Sequence, residues 1–202
     1  MDRNTILTVI ILGVIIALVM IIFADLNSGS IREEEIYGIN FISDSTKPTT
    51  HVQGLTANET FIISPSFTET SSSLNSKMTD VITRSNIVLL YTGRNSVVVA
   101  RVFNEEEVMA GCYTNEGSYN EGKDISIEEC NLLLGNPDSV ILKVEMPSEE
   151  ERVEVSGNTI TIFPLQEDDI SSITHSVLRL LFGKSADDAV EAANKISDDL
   201  SK

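Results

Sequence analysis

Cys112 and Cys130 are the only two cysteines of the chain, and the 17 residues between them are rich in Gly, Asn and acid. Such a stretch can be a metal loop, a reactive thiol with its partner, or a covalent staple. Calcium is the first metal to test against an acidic loop. An EF-hand loop needs oxygen ligands at positions 1, 3 and 5, Gly at 6 and Glu at 12. Placing Gly122 at position 6 puts Glu121 at 5 and Glu128 at 12, but leaves Gly117 at 1 and Tyr119 at 3. The pattern breaks where carboxylates are required. An irregular site on Glu116, Glu121 and Asp124 is the metal alternative, and the sequence leads us to expect neither a metal nor a cofactor.

The other chemistry-bearing residues are sparse. The chain has two histidines, His51 in "KPTTHVQG" and His175, and both read as surface residues. A Ser-His-Asp triad would have to use one of them. No Gly-x-Ser-x-Gly elbow occurs, and the Ser-rich stretch before Lys77 has Leu74, not Ser, three residues ahead of that lysine. The Ser-x-x-Lys nucleophile therefore fails. Neither Gly-x-Gly-x-x-Gly nor Gly-x4-Gly-Lys-Ser/Thr is present, which removes the two phosphate-cradling loops. Gly93 and Arg94 in "YTGRNS" read as a turn linking a hairpin, with anion binding as a minor alternative. Asn58-Glu59-Thr60 is an N-glycosylation acceptor pattern.

These residues must be positioned by one domain and an appendage. Of 202 residues, 6–24 form an uncharged apolar run that Ile6 opens and Ala24 ends. At about 1.5 Å per residue the run reaches roughly 28 Å, close to the roughly 30 Å hydrocarbon core of a bilayer. It is apolar all round, which excludes an interfacial helix. It is longer than a signal-peptide core and lacks a small-residue cleavage site, so residues 1–24 read as an uncleaved anchor whose partner is the membrane. Arg3 and the α-amino group precede the run, whereas Asp25 and then Arg32 followed by Glu33, Glu34 and Glu35 come after it, a bias of about one charge that favours the N-terminus in the cytoplasm and the body outside.

Residues 25–35 read as a juxtamembrane linker and 36–202 as the extracytoplasmic domain. The net charge of −17 belongs entirely to the body, because Asp2 and Arg3 cancel. With 14 Lys and Arg against 31 Asp and Glu and no basic cluster, nucleic acid is excluded as a partner.

The domain reads as α/β or α+β with one mixed sheet and flanking helices. Residues 36–42 are expected as a first strand and 43–58 as a polar loop. The apolar run at 61–63, a helix over 67–82 opened by "SPS" and the apolar "NIVLLY" at 86–91 suggest a βαβ crossover. Residues 97–103 read as a further strand, and Asn104 with Glu105, Glu106 and Glu107 as the start of a short helix. Ser126 and Glu129 fit a capping box for a helix to about Leu134. A strand follows at 139–146. "VEVSGNTITIF" is a hairpin turning on Gly157-Asn158, with Val155 facing Ile160 and Val153 facing Ile162. Helices over 167–182 and from Ser185 close the chain, with Gly183 between them.

The functional expectation is a membrane-anchored extracytoplasmic domain that acts by binding or structure, with a protein as partner, rather than an enzyme. The alternatives are a hydrolase using scattered carboxylates and a subunit of an envelope or membrane complex. In an oxidising compartment the lone pair Cys112 and Cys130 most simply forms a disulfide, pinning a surface loop.

Overall fold

The computed structural model describes Ile16 and residues 31–66, 72–103, 107–115 and 122–200. The expected anchor at 6–24 lies outside the described residues apart from Ile16, which is helical and exposed. Among the described residues no helix is long and apolar enough to cross a membrane.

Among the described residues the body is an α/β fold on one mixed sheet of nine strands, whose spatial order, numbering the strands along the chain, is 1-2-8-9-7-3-4-5-6. It opens with a hairpin, β1 (Arg32–Ile36) against β2 (Ile39–Ser43), so the sheet begins inside the stretch expected to be linker. Residues 36–42 are not one strand. Tyr37 and Gly38 both have positive φ, 55° and 79°, the backbone of a two-residue hairpin turn matched to strand twist. β1 is short and carries three consecutive glutamates at the sheet edge, which disfavours pairing with another chain. The supposed loop at 43–58 contains α1 (Pro48–Gly54), with Pro48 in its first turn, where the missing N–H costs nothing.

β3 (Thr60–Ser66) leads through α2 (Ser72–Tyr91) to β4 (Asn95–Phe103), and β3 pairs with β4 in parallel. The crossover is therefore real, but its second strand is β4. Residues 86–91 are the last turns of α2. The helix stops where Gly93, at φ 73°, lets the Gly93 and Arg94 N–H groups fold back onto the Leu90 and Leu89 carbonyls. β4 returns antiparallel into β5 (Glu107–Asn115) and β5 into β6 (Gly122–Ile125). Glu107 is thus in a strand, not a helix; the rest of that expected helix start, 104–106, lies outside the described residues.

α3 (Ile127–Leu134) is capped as the sequence indicates: Ser126 Oγ accepts from Glu129 N–H while the Glu129 carboxylate accepts from Ser126 N–H. β7 (Ser139–Glu145) lies parallel to β3, and β8 (Arg152–Ser156) and β9 (Thr159–Phe163) form the expected hairpin in the expected register. A 3-10 turn at Glu167–Asp169 opens α4 (Ile170–Phe182), and α5 (Lys184–Leu200) ends the described chain.

The two faces of the sheet are covered unequally. On one, Phe41, Phe61, Leu142, Val153 and Ile160 meet α1, α2, α4 and α5 through Val52, Leu74, Val88, Ile173, Leu178 and Ala186. Phe61 and Phe182 lie 5.5 Å apart between ring centroids, and burying a side chain of that size contributes about 1.5–3 kcal/mol. On the other face a small cluster of Ile62, Val97, Val99, Cys112 and Cys130 holds α3.

Candidate functional site

β3 and β7 lie side by side, with Thr60 opposite Ser139 at their first residues. Before Thr60 the chain leaves a 3-10 turn at Leu55–Ala57 with Asn58 extended; before Ser139 it leaves the end of α3. Between these entries is a cleft of about 370 Å³ lined by Ala57, Asn58, Glu59, Thr60, Asn136, Asp138 and Ser139. This is the lower end of the range for small-molecule sites.

Its walls are fixed by backbone bonding. Ser139 N–H donates to Asn136 O (3.1 Å) and Asp138 N–H to Asn136 Oδ1 (3.0 Å), closing a tight turn. Asn158, from the β8–β9 turn, donates through Nδ2 to Ser139 O (2.6 Å) and Asn136 O (3.3 Å). On the side of β3 away from β7, Asn95 N–H donates to Glu59 O (2.9 Å). The lining offers two carboxylates, two amides and two hydroxyls, and no Lys, Arg, His, Cys or Tyr. Ser139 Oγ is buried without a hydrogen-bond partner among the described residues, so no base activates it as a nucleophile. These groups can donate and accept hydrogen bonds to a small polar ligand.

Neither histidine is a free surface residue. His51, on α1, stands 3.0 Å from Ser43 Oγ through Nδ1 and 2.8 Å from Gly157 O through Nε2. A carbonyl only accepts, so Nε2 carries the proton and Nδ1 of the neutral ring accepts from the serine. Ser43 is 1% exposed. A serine and histidine in contact thus form a clasp joining β2, α1 and the β8–β9 turn, with the hydroxyl shut away from any substrate. His175, on α4, bonds Asp187 of α5 through Nε2 at 3.0 Å. Arg179 holds the other Asp187 oxygen at 3.2 Å and lies 4.9 Å above the Tyr37 ring. This network ties the first hairpin to the last two helices.

Three carboxylates bind helices in place. Glu34 accepts from the Thr49 hydroxyl and amide and pairs with Lys47, and its carboxyl is lowered, chiefly by the Thr49 hydroxyl. For Asp80, burial pushes upward but is outweighed by hydrogen bonds from Ser171 and Arg84, so its carboxyl is also lowered. Lys77 pairs with Asp168 at 2.8 Å, a surface contact between α2 and the turn before α4. Glu151 goes the other way, raised by burial and then by Asp169, but it lies outside the cleft.

The remaining sequence candidates separate clearly. Cys112 on β5 and Cys130 on α3 come to disulfide distance, 5.9 Å between Cα atoms, and both are buried. They join a strand to a helix in a small core, and the part of the segment between them at 116–121 lies outside the described residues. Glu116 and Glu121 lie outside the described residues, and Asp124 is paired in β6 with Tyr113. Among the described residues no group of three or more His, Cys, Asp or Glu could hold a metal. The Gly93 and Arg94 amides are consumed in ending α2, which removes the backbone donors an anion would need. Asn58 lines the cleft. The chain matches no protein-family model, no curated protein and no solved structure.

Proposed function

We propose that the chain is a single-pass membrane protein, anchored through residues 6–24, whose acidic α/β domain lies outside the cytoplasm and acts by binding or structure. The observation that carries this reading is the uncharged 19-residue apolar run followed by a body of net charge −17. The buried Cys112 and Cys130, read as a disulfide, are consistent with an oxidising compartment. The cleft adds hydrogen-bonding groups without an activated nucleophile, which favours binding over catalysis.

The test is topological. In intact cells, protease added from outside should digest the domain, while the full chain should stay with the membrane through alkaline extraction. Alkylation of the denatured, unreduced protein should find no free thiol. A domain protected until the cells are lysed, with two alkylated cysteines, would place it in the cytoplasm and end this reading.

A further inference from the structure

From the cleft at the entry to β3 and β7 we infer that Asn58 carries an N-linked glycan whose first sugar lies in that cleft. The inference rests on the extracytoplasmic reading above. Asn58-Glu59-Thr60 is the only Asn-x-Ser/Thr pattern in the chain. The structure places Asn58 just before the start of β3 and outside the core: Asn58 is half-exposed, its backbone is extended at φ −77° and ψ 144°, and its side chain lines the cleft. Its side-chain amide makes no hydrogen bond among the described residues, so substitution on nitrogen breaks no contact there.

The cleft beside it has room for one small ring, and its other polar side chains (Glu59, Thr60, Asn136, Asp138) carry the acceptors and donors that sugar hydroxyls and an acetamido group satisfy. No large apolar side chain lines the cleft, so a sugar there displaces no core residue.

In the transfer step the Asn58 amide nitrogen bonds to the anomeric carbon of a lipid-phosphate-linked oligosaccharide. The bond from that carbon to the phosphate oxygen breaks, the lipid phosphate leaves with the electron pair, and the amide proton passes to a base of the transferring enzyme. In the folded domain Thr60 is held between Ser139 of β7 and Asn95 of β4. The acceptor pattern is therefore reachable only before β3 is inserted, and modification accompanies export.

The experiment uses the full chain with an Asn-Gly-Thr tail appended after Lys202, expressed in a host with a glycosylating secretory pathway. The expected result is a glycan on peptides spanning Asn58, lost in Asn58→Gln and in Thr60→Val, with the tail also modified. A modified tail with bare Asn58 overturns the inference while leaving the topology intact. If neither is modified, the domain is not in the glycosylating compartment, and both readings fall. The position of the sugar is read separately: peptide-N-glycosidase should release the glycan more slowly from the native than from the heat-denatured protein. Equal rates would overturn the cleft placement.

Discussion

The imidazole of His51 holds a serine of β2 and a carbonyl of the β8–β9 turn at once. Its removal leaves the buried Ser43 O–H without its acceptor, although the oxygen still accepts from Thr46 N–H at 3.4 Å, and opens the exposed Gly157 carbonyl to water. Leaving buried polar groups unsatisfied costs about 1–3 kcal/mol. His51→Ala should lower the urea midpoint accordingly, and Ser43→Ala in the same background should recover part of the loss by removing the orphaned hydroxyl. If the double variant is less stable than His51→Ala alone, the clasp is misassigned.

Asp80 makes a prediction in pH. A carboxyl held below its ordinary value contributes stability above the unfolded-state pKa, about 3.9, and that contribution is lost as pH falls through the lowered folded-state value. Asp80→Asn should therefore be less stable than the parent at pH 7, and the gap should narrow in unfolding curves as the pH is taken down through and below the unfolded-state value. A gap that stays constant with pH would mean that the hydrogen bond from Ser171, not the charge, is what matters.

At the scale of elements, α3 has only eight residues and packs on a small cluster in which two of the five buried residues are cysteines. Its attachment depends on them. Replacing both by alanine should cost about 2–4 kcal/mol by the usual worth of a disulfide, and amide exchange should rise in α3 and β5 before it rises in α4. The α4–α5 corner depends on one glycine instead. Gly183 has φ 60° and ψ −139°, a conformation nearly closed to other residues, yet an added Cβ would meet nothing within 4 Å. Gly183→Ala should cost about 1–3 kcal/mol through backbone strain alone. A neutral effect in thermal unfolding would show that the corner relaxes.

The elements also show what the sequence could reveal. The β8–β9 hairpin was legible because alternation and Gly157-Asn158 agree, and α3 because its capping box is local. Residues 86–91 misled because a continuous apolar run suits a buried helix end as well as a buried strand, and periodicity cannot separate them. Gly93 as a helix terminator was the discriminating signal. Pro48 marked α1 in the same way. The turn at Tyr37-Gly38 carried no such mark, because tyrosine rarely takes positive φ. The cleft was illegible because Asn58 and Asn136 are 78 residues apart in the chain and meet only through the parallel pairing of β3 with β7.

For the whole molecule the governing quantity is charge. Many of the described cations are already paired: Lys47 with Glu34, Lys77 with Asp168, Arg84 with Asp80, Lys143 with Glu145, Arg152 with Glu154, and Arg179 with Asp187. The large excess of acid over base in the whole chain is left to repel itself, and self-repulsion destabilises a compact state. Salt acts on both terms. It weakens exposed ion pairs, each worth about 0–1 kcal/mol, and it screens the longer-range repulsion as the Debye length falls from about 30 Å at 0.01 M to about 8 Å at 0.15 M. Pairs at contact distance lie well inside either length, whereas carboxylates spread over the surface do not, so screening removes more repulsion than attraction. The melting temperature should therefore rise with sodium chloride over that range, measured by calorimetry at pH 7. A fall would mean that the interhelical pairs, the Asp187 network foremost, outweigh the net charge, and variants at Arg179 should then lose the salt dependence.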